Sequence, residues 1–252
     1  MPGVSPSQTQ FGILMLLAVA AAVGLLVQGA AAICRPRQDC DWAQLAYYRQ
    51  ANAVLPAPSA ANPRVVLMGD SITEGWPESR IGAEMGSLFP GKPYVNRGIS
   101  GQTTPQMLVR FRQDVIALKP TAVVILAGTN DLAGNTGEET LEEIEGNLAS
   151  MCELARANAI RVVLVSVLPA ADYPWAPGRQ PIPKIAALNQ WLRDYAAANH
   201  HSYLDLFTPM ATPAGAMRDG LHTGDGVHPS RAGYELMAPL MQKAIEETLG
   251  KS

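Results

Sequence analysis

The chain has 252 residues, 48% hydrophobic and 16% charged, with a formal net charge of −3. That length allows one large domain or two small ones, the composition excludes a disordered chain, and the acidic balance excludes the basic surface a nucleic-acid partner needs. Its 3 cysteines exclude a disulfide-dense scaffold and lack the paired spacing of structural zinc, so packing must hold the fold.

Residues 11–27 read FGILMLLAVAAAVGLLV, with no charge and no amphipathic period, and the small residues Gly29, Ala30, Ala31 and Ala32 follow. This is the pattern of an export segment, so residues 1–32 are expected to be a signal peptide cleaved after Ala32 or a retained membrane anchor. As a helix the apolar run spans roughly 26 Å, near the ~30 Å hydrocarbon core, and its length permits either outcome. Arg35 and Arg37 follow the run and no basic residue precedes it, which by the positive-inside rule pulls toward a cytoplasmic domain. The alanine-rich end weighs more. The domain is expected to be periplasmic or secreted, meeting a membrane only through an uncleaved segment. Cys34 and Cys40 could then close a short disulfide outside the reducing cytosol. Ile33 is not the small residue that lipidation of Cys34 requires. Cys152 reads as a buried thiol.

Residues 33–63 are expected to hold a helix from Trp42 to Asn52, capped by Asp41, and a Pro- and Ala-rich linker over 55–63. From Arg64 to residue 252 short apolar runs alternate with helical patterns. Strands are expected at 64–68 (RVVLM), 94–97, 122–127 (AVVILA), 161–167 (RVVLVSV) and 203–206, and helices at 79–88, 104–118, 140–158, 184–199 and 230–249. Thr140 and Glu143 have capping-box spacing. Such continuously apolar strands are buried on both faces, and the alternation forces parallel pairing with right-handed crossovers. The expectation is one three-layer α/β/α domain.

In an open parallel sheet, ligands bind beyond the carboxyl ends of the strands. The first strand is followed by Gly69-Asp70-Ser71-Ile72-Thr73, the second by Gly98-Ile99-Ser100-Gly101, the third by Gly128-Thr129-Asn130-Asp131, and the fifth by a long loop ending Asp225-Gly226-Val227-His228-Pro229. Acyl transfer needs a nucleophile, a base, a group that orients the base, and donors for the oxyanion. Ser71 can be the nucleophile, His228 the base and Asp225 its orienting carboxylate. The Ser71 N–H, the Gly98 N–H and the Asn130 amide can form the oxyanion hole. Taken singly, each has a plainer reading as a turn, cap or surface residue.

The segments GDSIT, NRGISG, GTND and DGVHP, in that order, resemble the conserved blocks of the GDSL or SGNH hydrolases. The resemblance implies a flavodoxin-like five-stranded parallel sheet in the order 2-1-3-4-5, a serine esterase, and no cofactor or metal. It also implies the same roles for Ser71, Asp225 and His228, and for Gly98 and Asn130 at the oxyanion. Thr73 stands where the motif's leucine would be, which touches none of these roles. No G-x-S-x-G is present, against an α/β-hydrolase elbow.

Two other classes compete. A metal-dependent phosphoesterase would use Asp70, Asp131, Asp225 and His228, and a carbohydrate-binding module would use Trp76, Tyr173 and Trp175 as stacking faces. Within the esterase reading nothing resembles a long-chain lid, so short acyl, above all acetyl, esters of small molecules or carbohydrates are expected. The family implied includes acetylesterases, lysophospholipases, thioesterases and carbohydrate deacetylases. Trp76, Tyr173 and Trp175 are expected as pocket walls, or as packing residues. His200, His201 and His222 read as bystanders, the first two at a helix end where a cation suits the dipole.

Overall fold

The structure, a computed structural model, describes residues 41–59, 61–76 and 87–250. The apolar run 11–27, Cys34, Cys40 and most of the expected helix 79–88 lie outside the described residues. The chain divides into two compact units, Met1–Trp42 and Ala43–Ser252. Of the first, only Asp41 and Trp42 are among the described residues, and the sheet with its helices belongs to the second.

Five short strands, β1 (Val65–Gly69), β2 (Tyr94–Gly98), β3 (Ala122–Leu126), β4 (Arg161–Val165) and β5 (Ser202–Leu204), form one parallel sheet in the order β2-β1-β3-β4-β5. The helices among the described residues are α1 (Arg49–Ala53), α2 (Ser71–Glu74), α3 (Thr104–Asp114), α4 (Thr129–Ala133), α5 (Leu141–Ala157), α6 (Pro181–Ala198), α7 (Phe207–Met210) and α8 (Arg231–Leu249). This is the flavodoxin-like topology the sequence implies.

β1 and β3 are buried at every position because both sheet faces are covered. Val66, Met68, Val123 and Ile125 face α3, α5 and α6, where Phe111, Leu148 and Leu188 meet them. Val65, Leu67, Val124 and Leu126 face the other way, toward Met237, Met241 and Ile245 of α8. Each such side chain contributes about 1.5–3 kcal/mol on burial. Cys152 lies in the first of these cores, and burial pushes its thiol up to about 12. In register, Gly69 pairs with both Gly98 and Leu126, so the carboxyl ends of β2, β1 and β3 stand side by side.

The expected helix over 42–52 is only α1, preceded by turns in which Gln44 is left-handed (φ 54°). Tertiary contacts decide this: the Tyr47 hydroxyl donates to Glu74, the Tyr48 hydroxyl to Gly98 O, and Asn52 Nδ2 to Asp114. Through these bonds the segment from Ala43 belongs to the same compact unit as the sheet, which therefore starts earlier than Arg64. α6 begins at Pro181, upstream of the expected Lys184, because proline is at home in the first turn of a helix. α3 stops at Asp114 and a 3₁₀ turn, Ile116–Leu118, completes the expected stretch.

Arg110 of α3 is completely buried. Its Nη1 donates to Asp114 Oδ2 (3.2 Å), Nε to Gln102 Oε1 (2.5 Å) and Nη2 to Gly69 O (3.0 Å). One guanidinium thus ties the end of β1 to the loop after β2 and to its own helix. Removing one partner of a buried ion pair strands the other charge, at about 3–5 kcal/mol. Urea denaturation of Arg110→Met is expected to show a loss of that size, and a loss below about 1 kcal/mol would mean that the pair does not hold these loops.

Candidate active site

Ser71 is displayed by a short turn out of β1. Asp70 caps α2, its Oδ1 accepting the Ile72 N–H at 2.9 Å, and Ser71 is the first helical residue. The chain can fold back so closely because Gly98 has no side chain: a Cβ there would sit 2.2 Å from Glu74 N. Tyr234 of α8 holds α2 from the other side, donating to Ile72 O at 2.8 Å.

His228 and Asp225 reach Ser71 from the loop before α8. His228 Nε2 lies 2.9 Å from Ser71 Oγ, and His228 Nδ1 lies 2.5 Å from Asp225 Oδ2. Asp225 Oδ1 accepts the N–H groups of Val227 and His228, both at 2.9 Å. Burial pushes this carboxyl up, but those bonds and the bond from the imidazole outweigh it and hold Asp225 below the usual carboxylate range. An ionised carboxylate at Nδ1 keeps the proton there and leaves the Nε2 lone pair for the serine hydroxyl. The arrangement can pass a proton from Oγ to the imidazole.

The oxyanion side differs from expectation. The Gly98 N–H donates to Asn96 Oδ1 at 2.9 Å inside the buried end of β2, so it has no donor to spare. Three residues on, Gly101 turns through φ 79°, and its N–H has no acceptor among the described residues. The Ser71 N–H likewise has none among them. Asn130, near the start of α4, donates from Nδ2 to Gln102 O (3.0 Å) and Asp70 Oδ2 (3.2 Å). Its carbonyl accepts Asn135 Nδ2 at 2.9 Å, which fixes the amide with its NH₂ toward Asp70 and Ser71's loop. Asn135 also donates to Gly101 O (3.1 Å) and accepts Trp175 Nε1 (2.9 Å). Gly101 and Asn135 are the residues of this bonded cluster that sequence reasoning did not place at the site. The second glycine of NRGISG and the asparagine five residues beyond Asn130 were the available signals.

Of the three expected aromatic walls, one stands at the site. Trp76 is buried between Phe89 and Tyr234, and Tyr173 is fully buried, so both are core residues. Trp175 is 43% exposed, its ring 5.8 Å from that of His228. The residues of the competing metal reading serve separate partners: Asp225 and His228 bond each other, Asp70 caps α2, and Asp131 Oδ1 accepts the Thr104 N–H (2.8 Å) and hydroxyl (2.5 Å). Among the described residues no group of three or more His, Cys, Asp or Glu could hold a metal ion. His222 does more than stand by, since its Nδ1 accepts the N–H groups of Gly224 (3.0 Å) and Gly226 (3.1 Å) and shapes the loop that carries Asp225. Burial, with Arg156 and His200 close by, lowers the pKa of His201, which opposes the expected cation there.

The GDSL-like lipase/acylhydrolase family matches residues 67–236 of the chain. The chain is 31% identical over 134 residues to platelet-activating factor acetylhydrolase IB subunit alpha2 of Homo sapiens, covering 52% of this chain and 53% of that protein, so it spans about half that relative's length. It is 31% identical over 212 residues to the isoamyl acetate-hydrolyzing esterase 1 homolog of Bos taurus, covering 73% of this chain and 83% of that one. The solved structure of a GDSL-like lipase from Bacteroides thetaiotaomicron is 45% identical, with a TM-score of 0.76, over 81% of this chain and 98% of that chain.

Two carboxyls beneath the site are held far from their ordinary range. Burial pushes Asp70 up to about 6 and Asp131 up to about 7. Ordinary unfolded aspartate titrates near 3.9, so the folded state binds these protons more tightly than the unfolded one. Their contribution to stability is therefore present below about pH 4 and is lost as pH rises through 6 to 7. Asp131→Asn keeps an acceptor for Thr104 and removes the charge. Urea unfolding at pH 5 and pH 8 is expected to show a smaller loss on the alkaline side for the variant than for the wild type. An equal pH dependence in both would mean that Asp131 carries no buried charge.

Proposed function

Because the chain belongs to the GDSL-like lipase/acylhydrolase family, we propose that it hydrolyses short-chain acyl esters, acetyl esters above all, with Ser71 as nucleophile, His228 as general base and Asp225 as the carboxylate that orients it. The observation that carries this reading is the unbroken line from Ser71 Oγ to His228 Nε2 and from Nδ1 to Asp225. Two relatives are named for acetyl-ester hydrolysis, an acetylhydrolase and an isoamyl acetate-hydrolyzing esterase, which supports the acetyl group as the acyl half.

Ser71 Oγ attacks the ester carbonyl while His228 Nε2 takes its proton, giving a tetrahedral oxyanion and an imidazolium opposite Asp225. Collapse of that intermediate breaks the ester C–O bond, and the leaving oxygen takes the proton back from Nε2. Water then enters, gives a proton to Nε2, attacks the acyl-serine, and releases a carboxylic acid and free Ser71. The oxyanion is served by the N–H groups of Ser71 and Gly101 and by Asn130 Nδ2. The longer of the two amide bonds, to Asp70, yields to the developing charge, which offers a stronger acceptor at the site.

Ser71→Ala is expected to fold normally and to lose p-nitrophenyl acetate hydrolysis by about 10⁴-fold or more. Near-wild-type turnover by the folded variant would end the serine-nucleophile reading. Asn135→Ala leaves the Asn130 amide without the bond that fixes its orientation. On the same substrate kcat is expected to fall with KM nearly unchanged, by less than the roughly 10²–10³-fold loss for removing an oxyanion donor, as Asn130→Ala would. A change in KM alone would make Asn135 a substrate contact and not a positioning residue.

A further inference from the structure

Glu74 closes the short helix that begins at Ser71, and its carboxylate is buried outside the line from Ser71 to Asp225. A carboxylate withdrawn from water costs free energy unless donors meet its oxygens. Here three neutral donors do so. Oε2 accepts the Ser100 N–H at 2.7 Å and the Ser100 hydroxyl at 2.6 Å, and Oε1 accepts the Tyr47 hydroxyl.

These bonds run from the turn that carries Ser71 to the loop that carries Gly101. The backbone of Glu74 is locked to that turn, since its N–H donates to Asp70 O at 2.8 Å and the Gly75 N–H donates to Ser71 O at 2.8 Å. Ser100 lies directly before Gly101, so the Gly101 N–H belongs to the peptide between them. On one side of that peptide Glu74 holds the Ser100 N–H, and on the other Asn135 Nδ2 holds Gly101 O at 3.1 Å. Ser100 and Gly101 are both exposed, so burial does not fix them. Gly101 turns through φ 79°, a region that glycine enters and leaves with little steric penalty. The two anchors therefore set the direction of the Gly101 N–H more than the residue's own stereochemistry does.

We infer that Glu74 is a positioning residue for the oxyanion, that it sets the Gly101 N–H relative to Ser71 Oγ, and that Tyr47, upstream of β1, holds its carboxylate in place. The inference rests on the serine-esterase reading above, with Gly101 as an oxyanion donor. Such a donor accelerates the reaction only when it is aimed at the place where charge develops in the transition state. A loop that swings away from that place costs rate and leaves ground-state binding nearly as it was. Tyr47 takes the carboxylate oxygen that Ser100 does not use, so the carboxylate is held from both sides.

The test is p-nitrophenyl acetate hydrolysis, with kcat taken per active site counted by fluorophosphonate labelling to completion, so that unfolded protein does not enter it. Glu74→Ala is expected to lower kcat by about 10–100-fold with KM changed by less than about twofold, a smaller loss than removal of an oxyanion donor itself. Glu74→Gln should recover most of that loss, because its Oε1 can accept both Ser100 donors while its amide N–H donates to the Tyr47 oxygen. Tyr47→Phe keeps the ring and removes the donor; it should lower kcat by about threefold or more, and add little to the loss in a Glu74→Ala background, since the hydroxyl acts through the carboxylate. Wild-type kcat in Glu74→Ala, or a loss confined to KM, would overturn the inference. Equal losses in Glu74→Gln and Glu74→Ala would also overturn it, because the position would then need the charge and not the bonds. Tyr47 is 41% exposed, so Tyr47→Phe supplies the answer even if Glu74→Ala fails to fold, and an unchanged kcat there would overturn the inference. Near-wild-type turnover by Ser71→Ala would instead sink the esterase reading beneath it, whereas an inactive Ser71→Ala beside fully active Glu74 variants would sink the positioning role alone.

Discussion

Gly69 O is the last carbonyl of β1 before the Ser71 turn, and it is held by a guanidinium with no solvent around it. That single donor group also holds Gln102, whose own carbonyl receives the Asn130 amide. The start of the Ser71 turn and the anchor of the Asn130 amide are therefore referred to one rigid planar fork. A buried ion pair is costly, because desolvating each ion takes several kcal/mol that its partner repays only with good geometry. Hydrophobic residues could fill the same space as stably. They could not fix two loops and a helix to one another at hydrogen-bond tolerance.

Three carboxyls around the site differ in how readily they ionise, and the difference is set by surroundings and not by residue type. Asp225 is partly exposed and meets two backbone N–H groups and an imidazole, which keep it ionised. Asp70 and Asp131 accept from neutral donors, and burial raises both. Each nonetheless spans two elements: Asp70 joins the N-terminus of α2 to Asn130, and Asp131 joins α4 to Thr104 at the start of α3. Their cost near neutral pH is met by packing elsewhere, in the cores on either side of the sheet.

The strands were legible because parallel strands covered on both faces must be apolar without interruption, and RVVLM, AVVILA and RVVLVSV are. Ser71, Asp225, His228 and Asn130 were legible because reactive residue types followed those runs at strand ends. Gly98 and Gly101 were not separable by sequence: both are glycines in one hexapeptide, and only the bond from Gly98 N–H to Asn96 shows which donor is already spent. Trp76 and Trp175 posed the same difficulty, since burial depends on what α8 brings from more than 150 residues away, in this case Tyr234. The short α1 was overread because local helical propensity says nothing about the Tyr47 and Tyr48 hydroxyls, whose partners lie on α2 and at the end of β2.

The two halves of the site are built by different means. Ser71, Asn130 and the Gly101 turn are placed by the sheet, through neighbouring strand ends and the buried fork of Arg110. His228 and Asp225 sit on a loop that is held largely by itself. His222 accepts two of its N–H groups, Thr223 N–H donates to His228 O at 2.9 Å, and Ser230 N–H donates to Leu221 O at 2.8 Å. Asp225 takes two more of the loop's own N–H groups. Such a loop keeps the Asp225 to His228 distance whatever the sheet does, because both residues belong to one hydrogen-bonded turn. What it cannot set alone is the distance from His228 to Ser71, which depends on where α8 docks. Tyr234 supplies that link: four residues into α8, it bonds the backbone of Ile72, the residue after the serine. Together with the packing of Met237, Met241 and Ile245 against the sheet, this hydroxyl bridges the self-contained loop to the Ser71 turn.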